Sequence, residues 1–201
     1  MVKQFPSRAL ILAVCISGAV AASALSQEAN QISVTYLGQK ISLKKTGAAE
    51  IKHSRGERTR ILFKFVHYMQ DPPSGNGASV LEAMTKANSA KQIVIEAGRS
   101  YGAGKFGARI DAYIKDAASS SDMAKVQRNY NSLIGYLSGA FEEGDQATIL
   151  WLPEGKVIIS APGQNEKMIN DPELGPFLWS AWFGQSSPVN RLELVSSLAA
   201  R

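Results

Sequence analysis

Three strand-like segments near the C-terminal end constrain the fold more than any other feature of the sequence. Residues 147–152 and 156–161 are rich in β-branched and aromatic side chains, and only the turn at 153–155 separates them. A third strand is predicted over 164–169, after the Pro-Gly turn at 162–163. Parallel neighbours need a long crossover connection, so strands this close in sequence are expected to pair antiparallel.

Strand patterns and helix patterns occupy separate parts of the rest of the chain. The period of the apolar residues changes from two to that of a helix near the middle of the sequence and back again before the three C-terminal strands. The predicted earlier elements are strands over 32–36, 41–44, 61–69 and 92–96, a short helix over 80–88, and amphipathic helices over 103–117 and 123–141.

Capping residues mark the helix boundaries. Ser121 or Asp122 is expected to cap the helix over 123–141, and Gly144 to end it. The Asp-Pro pair at 171–172 and the Ser-Pro pair at 187–188 predict the starts of two C-terminal helices. The sum is an α+β fold, in which an antiparallel β-sheet is covered on one face by a layer of helices.

The first 24 residues have the pattern of a secretory signal peptide. Basic residues within 1–8 precede an apolar run over 9–22, and cleavage is expected between Ala24 and Gln27. The apolar run is shorter than the roughly 18–20 residues that span a bilayer, so we expect no stable membrane span after cleavage. The mature protein would be periplasmic or secreted.

Cleavage at this site would change both the charge and the chemistry of the chain. The single cysteine, Cys15, would be lost, which excludes disulfides and thiolate catalysis in the mature protein. Without Lys3 and Arg8 the formal net charge falls from +5 to +3. We expect 25–46 to form a polar segment with short strands, and the main domain to cover 47–201.

A basic run over 52–64 is the densest charged segment. A solvated loop that leads into the next strand is one interpretation, and an anion-binding patch is the other. The run has none of the aromatic interleaving typical of single-strand binders, so we expect no nucleic-acid partner.

Other motifs carry little chemistry. The residues Gly102 to Gly107 match G-x-G-x-x-G, but no second βαβ unit follows, so we expect no dinucleotide site and no cofactor. His53 and His67 lack the spacing of metal ligands, and no metal site is predicted. Trp151, Trp179 and other aromatics of the last third predict either an apolar cleft or an ordinary core.

The C-terminal third resembles the chalcone isomerase-like superfamily, in particular its bacterial exported members. The resemblance extends over about 47–198 and implies a large antiparallel sheet, a helical layer and a cleft between them. It is carried by Gly144-Asp145, the turn Leu152-Pro153-Glu154-Gly155, the segment 176–184 (PFLWSAWFG), Ser187-Pro188 and, upstream, the strand 63–69 (FKFVHYM).

The resemblance also implies an isomerase or intramolecular lyase, but the residues of that chemistry are not matched. Ring closure needs preorganised donors that stabilise the developing enolate. The two positions that correspond to Thr residues of the family are occupied by Phe63 and Ala181, and neither side chain is a donor. By this resemblance the family's Arg falls near Ile51 or Lys52, its strand Thr near Phe63 and its helical Thr at Ala181. Tyr130 and Asn131 are adjacent here, whereas the Tyr and Asn of the family lie about two helical turns apart.

We therefore predict an exported, non-catalytic protein with no catalytic residues of its own that binds an apolar small molecule, such as a fatty acid, in a cleft between sheet and helices. An isomerase or intramolecular lyase on an unknown substrate, and an envelope interaction module with a filled cleft, remain as alternatives. The candidate ligand-binding residues are Lys52, Arg55, Arg60 and Lys64 for a carboxylate, with Tyr130, Asn131 and Trp182 for the wall.

Overall fold

The structure, a computed structural model, describes residues 29–75 and 77–198. The predicted signal peptide lies outside the described residues. Within the described ranges, no helix is long and apolar enough to cross a membrane.

Seven strands form one antiparallel sheet in which neighbours in space are also neighbours in sequence. Every neighbouring pair is antiparallel, which confirms the predicted fold class. The strands are β1 (Gln31–Tyr36), β2 (Gln39–Arg55), β3 (Arg58–Met69), β4 (Lys91–Ala97), β5 (Gln146–Leu152), β6 (Lys156–Ser160) and β7 (Lys167–Asn170).

A layer of helices covers one face of the sheet. Their apolar sides form the main hydrophobic core together with alternate residues of the strands. The helices are α1 (Ala78–Lys86), α2 (Lys105–Ala117), α3 (Ser120–Tyr136) and α4 (Leu174–Phe183), with 3-10 turns at Pro153–Gly155 and Glu193–Leu198. We call the last of these the C-terminal 3-10 segment.

The opposite face of the sheet is only partly apolar. Val66, Tyr68 and Leu150 belong to a second, smaller core on this face. The sheet curls so that β1 reaches the last strands, since the Tyr36 hydroxyl lies 3.8 Å from the sulfur of Met168. This second face is therefore sheltered by the sheet itself, whereas the first is sheltered by helices.

β2 is much longer than the predicted strand over 41–44. Its alternation is broken by bulges between Lys45 and Gly47 and between Ile51 and Lys52, which hide the period of two in the sequence. As a consequence, the basic run lies in the β2–β3 hairpin instead of a loop. The domain boundary expected at residue 46 also falls inside this strand.

Two predicted helices differ from the structure because local bonds compete with them. The helix α3 begins after Ser119, whose Oγ accepts from the Asp122 amide, and ends at Tyr136 instead of Gly144. The chain leaves the helix because Phe141 forms a backbone bridge with Tyr101. The predicted last helix is a 3-10 segment, where Asn190 binds the Leu192 amide.

The glycine-rich segment over 102–107 opens α2, but it does not belong to a nucleotide-binding unit. The sheet before it is antiparallel throughout, whereas the dinucleotide fold needs parallel strands. Gly107 instead permits close helix packing, because a Cβ there would lie 2.9 Å from the Leu137 carbonyl oxygen.

Candidate functional site

A buried polar chain crosses one end of the layer between sheet and helices. His67 on β3 is fully buried, and its Nδ1 lies 2.7 Å from the hydroxyl of Thr46. Its Nε2 accepts a hydrogen bond of 2.9 Å from the indole nitrogen of Trp179 on α4. Thr46 in turn donates to the Leu194 carbonyl at 2.8 Å. Three elements and the C-terminal 3-10 segment are thus joined through one imidazole.

The donors of this chain fix the tautomer of His67. An indole nitrogen can only donate, so Nε2 carries no proton and a neutral ring must carry it on Nδ1. That proton is directed at the Thr46 hydroxyl, whose own proton goes to Leu194. Every polar hydrogen in this series of hydrogen bonds therefore has an acceptor.

Burial, with a smaller contribution from the nearby positive charge of Lys91, lowers the pKa of His67 to about 3. The ring is neutral over the physiological range, and both of its nitrogens are occupied. These properties suit a structural histidine. They leave no nitrogen free to move a proton to or from a ligand.

The β2 bulge brings Thr46 into this chain. Thr46 has no partner residue in the β2–β3 register, because Lys45 faces Tyr68 and Gly47 faces His67. Gly47 leaves room for the C-terminal 3-10 segment, since a Cβ at this position would lie 2.2 Å from the Glu193 carbonyl oxygen. The bulge and the glycine together dock the end of the chain on the sheet.

Lys91 is a second buried titratable group at the same end. Its ammonium donates to the Met84 carbonyl at 2.6 Å and lies 4.1 Å from the centre of the Trp151 ring. Burial lowers its pKa to about 7. The Met84 carbonyl belongs to the last turn of α1, where a cation is favourable, so Lys91 fastens that helix to the sheet.

The other end of the layer is filled by aromatic rings. Phe63 of β3 stacks on Tyr101 with centroids 5.2 Å apart and meets Phe106 and Tyr113 edge-on. Phe106 stacks on Phe141 at 3.7 Å. Tyr101 and Tyr113 carry the two hydroxyls of this cluster, and that of Tyr101 donates to the Leu62 carbonyl. We call these five rings the aromatic cluster.

An open groove lies outside the aromatic cluster. Its volume is about 560 Å³, and Tyr101 forms part of its floor. The Arg99 guanidinium lies 4.8 Å from the centre of the Tyr101 ring. The residues that shape the groove include Arg99, Tyr101, Lys105, Ala108, Arg109 and Ala112. A smaller depression of about 190 Å³ lies between α3 and α4, beside Val126, Phe177 and Ser180.

The basic residues predicted to bind a carboxylate lie on the β2–β3 hairpin. Arg55 and Arg60 are exposed, and Lys52 pairs with Glu50 at 2.9 Å. Lys64 lies on β3, opposite Glu50 and between β2 and β4. The hairpin carries these side chains at the sheet, away from the buried aromatics of the helical layer. Their role in binding stays a prediction.

The predicted wall residues lie in the helical layer. Trp182 is buried and meets Trp179 edge-on at 5.5 Å, while Asn131 is exposed and accepts from Gln127. Tyr130 is buried and donates to the Asp111 carboxylate at 2.8 Å. Burial raises the pKa of Tyr130, and the Asp111 carboxylate contributes to the same shift. The proton of Tyr130 is therefore held more firmly than in an ordinary phenol.

Sequence reasoning missed the residues that the structure brings together. Thr46 carried a weak signal, because a Thr-Gly pair inside a strand is typical of a bulge. Lys105 and Arg109 are one helical turn apart, which places both on one side of α2. Arg99 precedes the helix and gave no signal, since only the fold brings it to the groove.

In the part of the chain that the structure describes, no group of three or more His, Cys, Asp or Glu residues is placed to hold a metal ion. The groove is instead rich in cations.

Comparison with known proteins finds a similarity in structure and none in sequence. The sequence matches no protein-family model and none of the curated proteins. The structure is similar to the crystal structure of a fatty-acid binding protein from Arabidopsis thaliana, with a TM-score of 0.56 and 15% sequence identity. The alignment covers 85% of this chain and 100% of that one. This chain has the chalcone isomerase-like fold.

In this fold, the two ends described above bound the apolar layer between the sheet and the helices. A chalcone isomerase-like sheet with its helices encloses an apolar layer, and here that layer is bounded by the polar chain around His67 at one end and by the aromatic cluster at the other. The groove opens beside the aromatic cluster.

Proposed function

We propose that this protein is an exported, non-catalytic chalcone isomerase-like protein that binds an apolar small molecule, such as a fatty acid, between its sheet and its helices. The observation that carries the proposal is the fold, which is shared over its full length by a protein described as fatty-acid binding. The apolar character of the layer is independent support, because a hydrocarbon tail gains free energy when it moves from water into apolar surroundings.

The buried polar groups support a non-catalytic role. His67 has both nitrogens engaged, and Tyr130 holds its proton against Asp111. The positions that the family resemblance assigns to a strand Thr and a helical Thr are occupied by Phe63 and Ala181, both buried in the layer. Neither side chain can hydrogen-bond a developing oxyanion.

Export is proposed from the sequence of residues 1–24. The order of basic, apolar and small residues is typical of a cleaved leader and supports a mature protein in the periplasm or outside the cell. N-terminal sequencing of the protein recovered from the cell envelope tests this, with a first residue between Leu25 and Glu28 expected. A recovered chain that still begins at Met1 would contradict export with cleavage.

The filled layer favours one competing function, an envelope interaction module. Phe63, Phe106 and Trp182 are at most 1% exposed, so a ligand in the layer must displace side chains or enter beside them. A module that binds only other proteins needs no such displacement.

Native mass spectrometry of the purified full chain separates the two functions. Binding of an apolar ligand predicts a co-purified mass of a few hundred daltons, which a competing fatty acid displaces. A chain that arrives empty, and that leaves the fluorescence of an added fatty-acid analogue unchanged, contradicts the proposal and favours the interaction module.

Turnover of a chalcone tests the non-catalytic part. We expect none above the uncatalysed rate. Turnover that disappears in the Tyr130→Phe variant would show instead an isomerase that uses this phenol, and the variant keeps the ring that packs on Phe177.

A further inference from the structure

The groove outside the aromatic cluster combines three positive charges with an apolar strip. Arg99 precedes α2, while Lys105 and Arg109 lie one turn apart along it. Like charges at this helical spacing repel each other, so the arrangement is unfavourable unless an anion offsets it. Ala108 and Ala112 form the apolar strip beside the cations.

These cations form no salt bridge with an acid of the described residues. No ion pair joins Arg99, Lys105 or Arg109 to a carboxylate within residues 29–75 and 77–198. The carboxylate of Glu142 accepts a hydrogen bond of 2.7 Å from Ser100, which lines the groove. The first turn of α2 also holds no acidic side chain.

The Arg99 guanidinium is oriented by its contact with the ring of Tyr101. This contact with Tyr101 holds the exposed guanidinium at the groove, where its N–H groups can bind a planar acid group. Arginine binds carboxylate and phosphate through two parallel hydrogen bonds in this way. The volume of about 560 Å³ is that of a ligand-sized site.

We propose that this groove binds the acidic headgroup of an amphipathic ligand. Arg99, Lys105 and Arg109 hold the carboxylate or phosphate, and the first part of the hydrocarbon lies on Ala108 and Ala112. Tyr101 lines the groove and stacks on Phe63, so a tail that passes Tyr101 enters the apolar layer. This inference rests on the proposed function and adds to it a place for the head and a requirement that the ligand be an acid.

The test measures binding of three probes to the full chain by calorimetry: dodecanoate, dodecyl phosphate and 1-dodecanol. The test variant carries Arg99→Gln, Lys105→Gln and Arg109→Gln together. A matched control carries Lys40→Gln, Lys86→Gln and Lys125→Gln, which removes the same charge from exposed positions outside the groove. Circular dichroism checks that both variants fold.

We expect the groove variant to bind dodecanoate about tenfold or more weakly than the wild type, and the control to stay within about twofold. Dodecanol binding should be equal in all three proteins. Stronger binding of dodecyl phosphate than of dodecanoate would identify phosphate as the better head, and the reverse would identify carboxylate.

Equal dodecanoate binding by the groove variant and the wild type would overturn the headgroup site while leaving the proposed function in place. An equal loss in the control would also overturn the site, because net charge alone would then explain it. If the wild type binds none of the three probes, the proposed function fails together with the site.

Discussion

The two ends of the layer between sheet and helices differ in what their polar groups do. At the His67 end, a series of hydrogen bonds runs from Trp179 through His67 and Thr46 to the Leu194 carbonyl, and every polar hydrogen in it has an acceptor inside the protein. At the aromatic end, apolar rings lie beneath a groove whose cations have no acid partner among the described residues. Satisfied buried groups stabilise a fold, and unneutralised cations at a groove are available to a ligand. We infer that the first end is structural and the second functional.

The largest effect is expected from truncation at the His67 end. Trp179→Ala removes a fully buried indole and leaves Nε2 of His67 without a donor, so the free energy of unfolding should fall by about 3–5 kcal/mol. Urea denaturation measures this. Met168→Ala, at a half-exposed position, should cost far less, and an equal loss in both variants would contradict the structural role.

Acid should destabilise the same end. The pKa of His67 is about 3 in the folded chain against an ordinary 6.5, so between these values only the unfolded chain takes up the proton. Stability is therefore complete above pH 6.5 and falls as the pH is lowered, by about 3 kcal/mol between pH 6.5 and pH 4.

The measurement for this prediction is the free energy of unfolding across that pH range in the wild type and in His67→Gln. The variant should lack the His67 contribution, whereas His53→Gln, in the exposed hairpin, should keep it. Parallel profiles for the wild type and His67→Gln would show that the imidazole is not held neutral.

Raising the pH above neutrality should stabilise the protein through Lys91. Its folded pKa of about 7 lies below the ordinary 10.5, so the unfolded chain holds the proton over this interval and stability rises with pH. We expect a gain of about 2 kcal/mol between pH 7.5 and pH 9.5 relative to Lys91→Met. Equal slopes for the two proteins in denaturation experiments would refute the lowered pKa of the buried ammonium.

The smallest effect on stability is expected in the groove. Arg99→Gln should change the free energy of unfolding by less than about 0.5 kcal/mol, because the side chain is exposed and its contacts are with the nearby Tyr101. Thermal unfolding without ligand measures this. A loss as large as that at Trp179 would mean that the cations serve the fold, and the contrast between the two ends would disappear.

The general architecture could be predicted from the sequence, because it depends on local patterns. The short turns at 153–155 and 162–163 leave antiparallel pairing as the expected arrangement, and the apolar faces of α2 and α3 are visible at helical spacing. The resemblance at 176–184 pointed to the same fold. The length of β2 was missed, since two bulges interrupt its alternation.

The candidate site was much less predictable. The groove joins Arg99 to residues of α2 through a connection whose geometry depends on the bridge between Tyr101 and Phe141. The basic residues of 52–64 were easier to notice because they follow one another in sequence. Proximity along the chain made them a candidate, whereas proximity in the fold makes the groove one.

The most direct test of the account is an amide chemical-shift titration of the full chain with dodecanoate. We expect the shifts to concentrate in residues 99–112 and at Phe63, with the Trp179 indole proton unmoved. Shifts centred on His67 and Trp179, or no shifts at saturating dodecanoate, would contradict the claim that the aromatic end is where this protein binds its ligand.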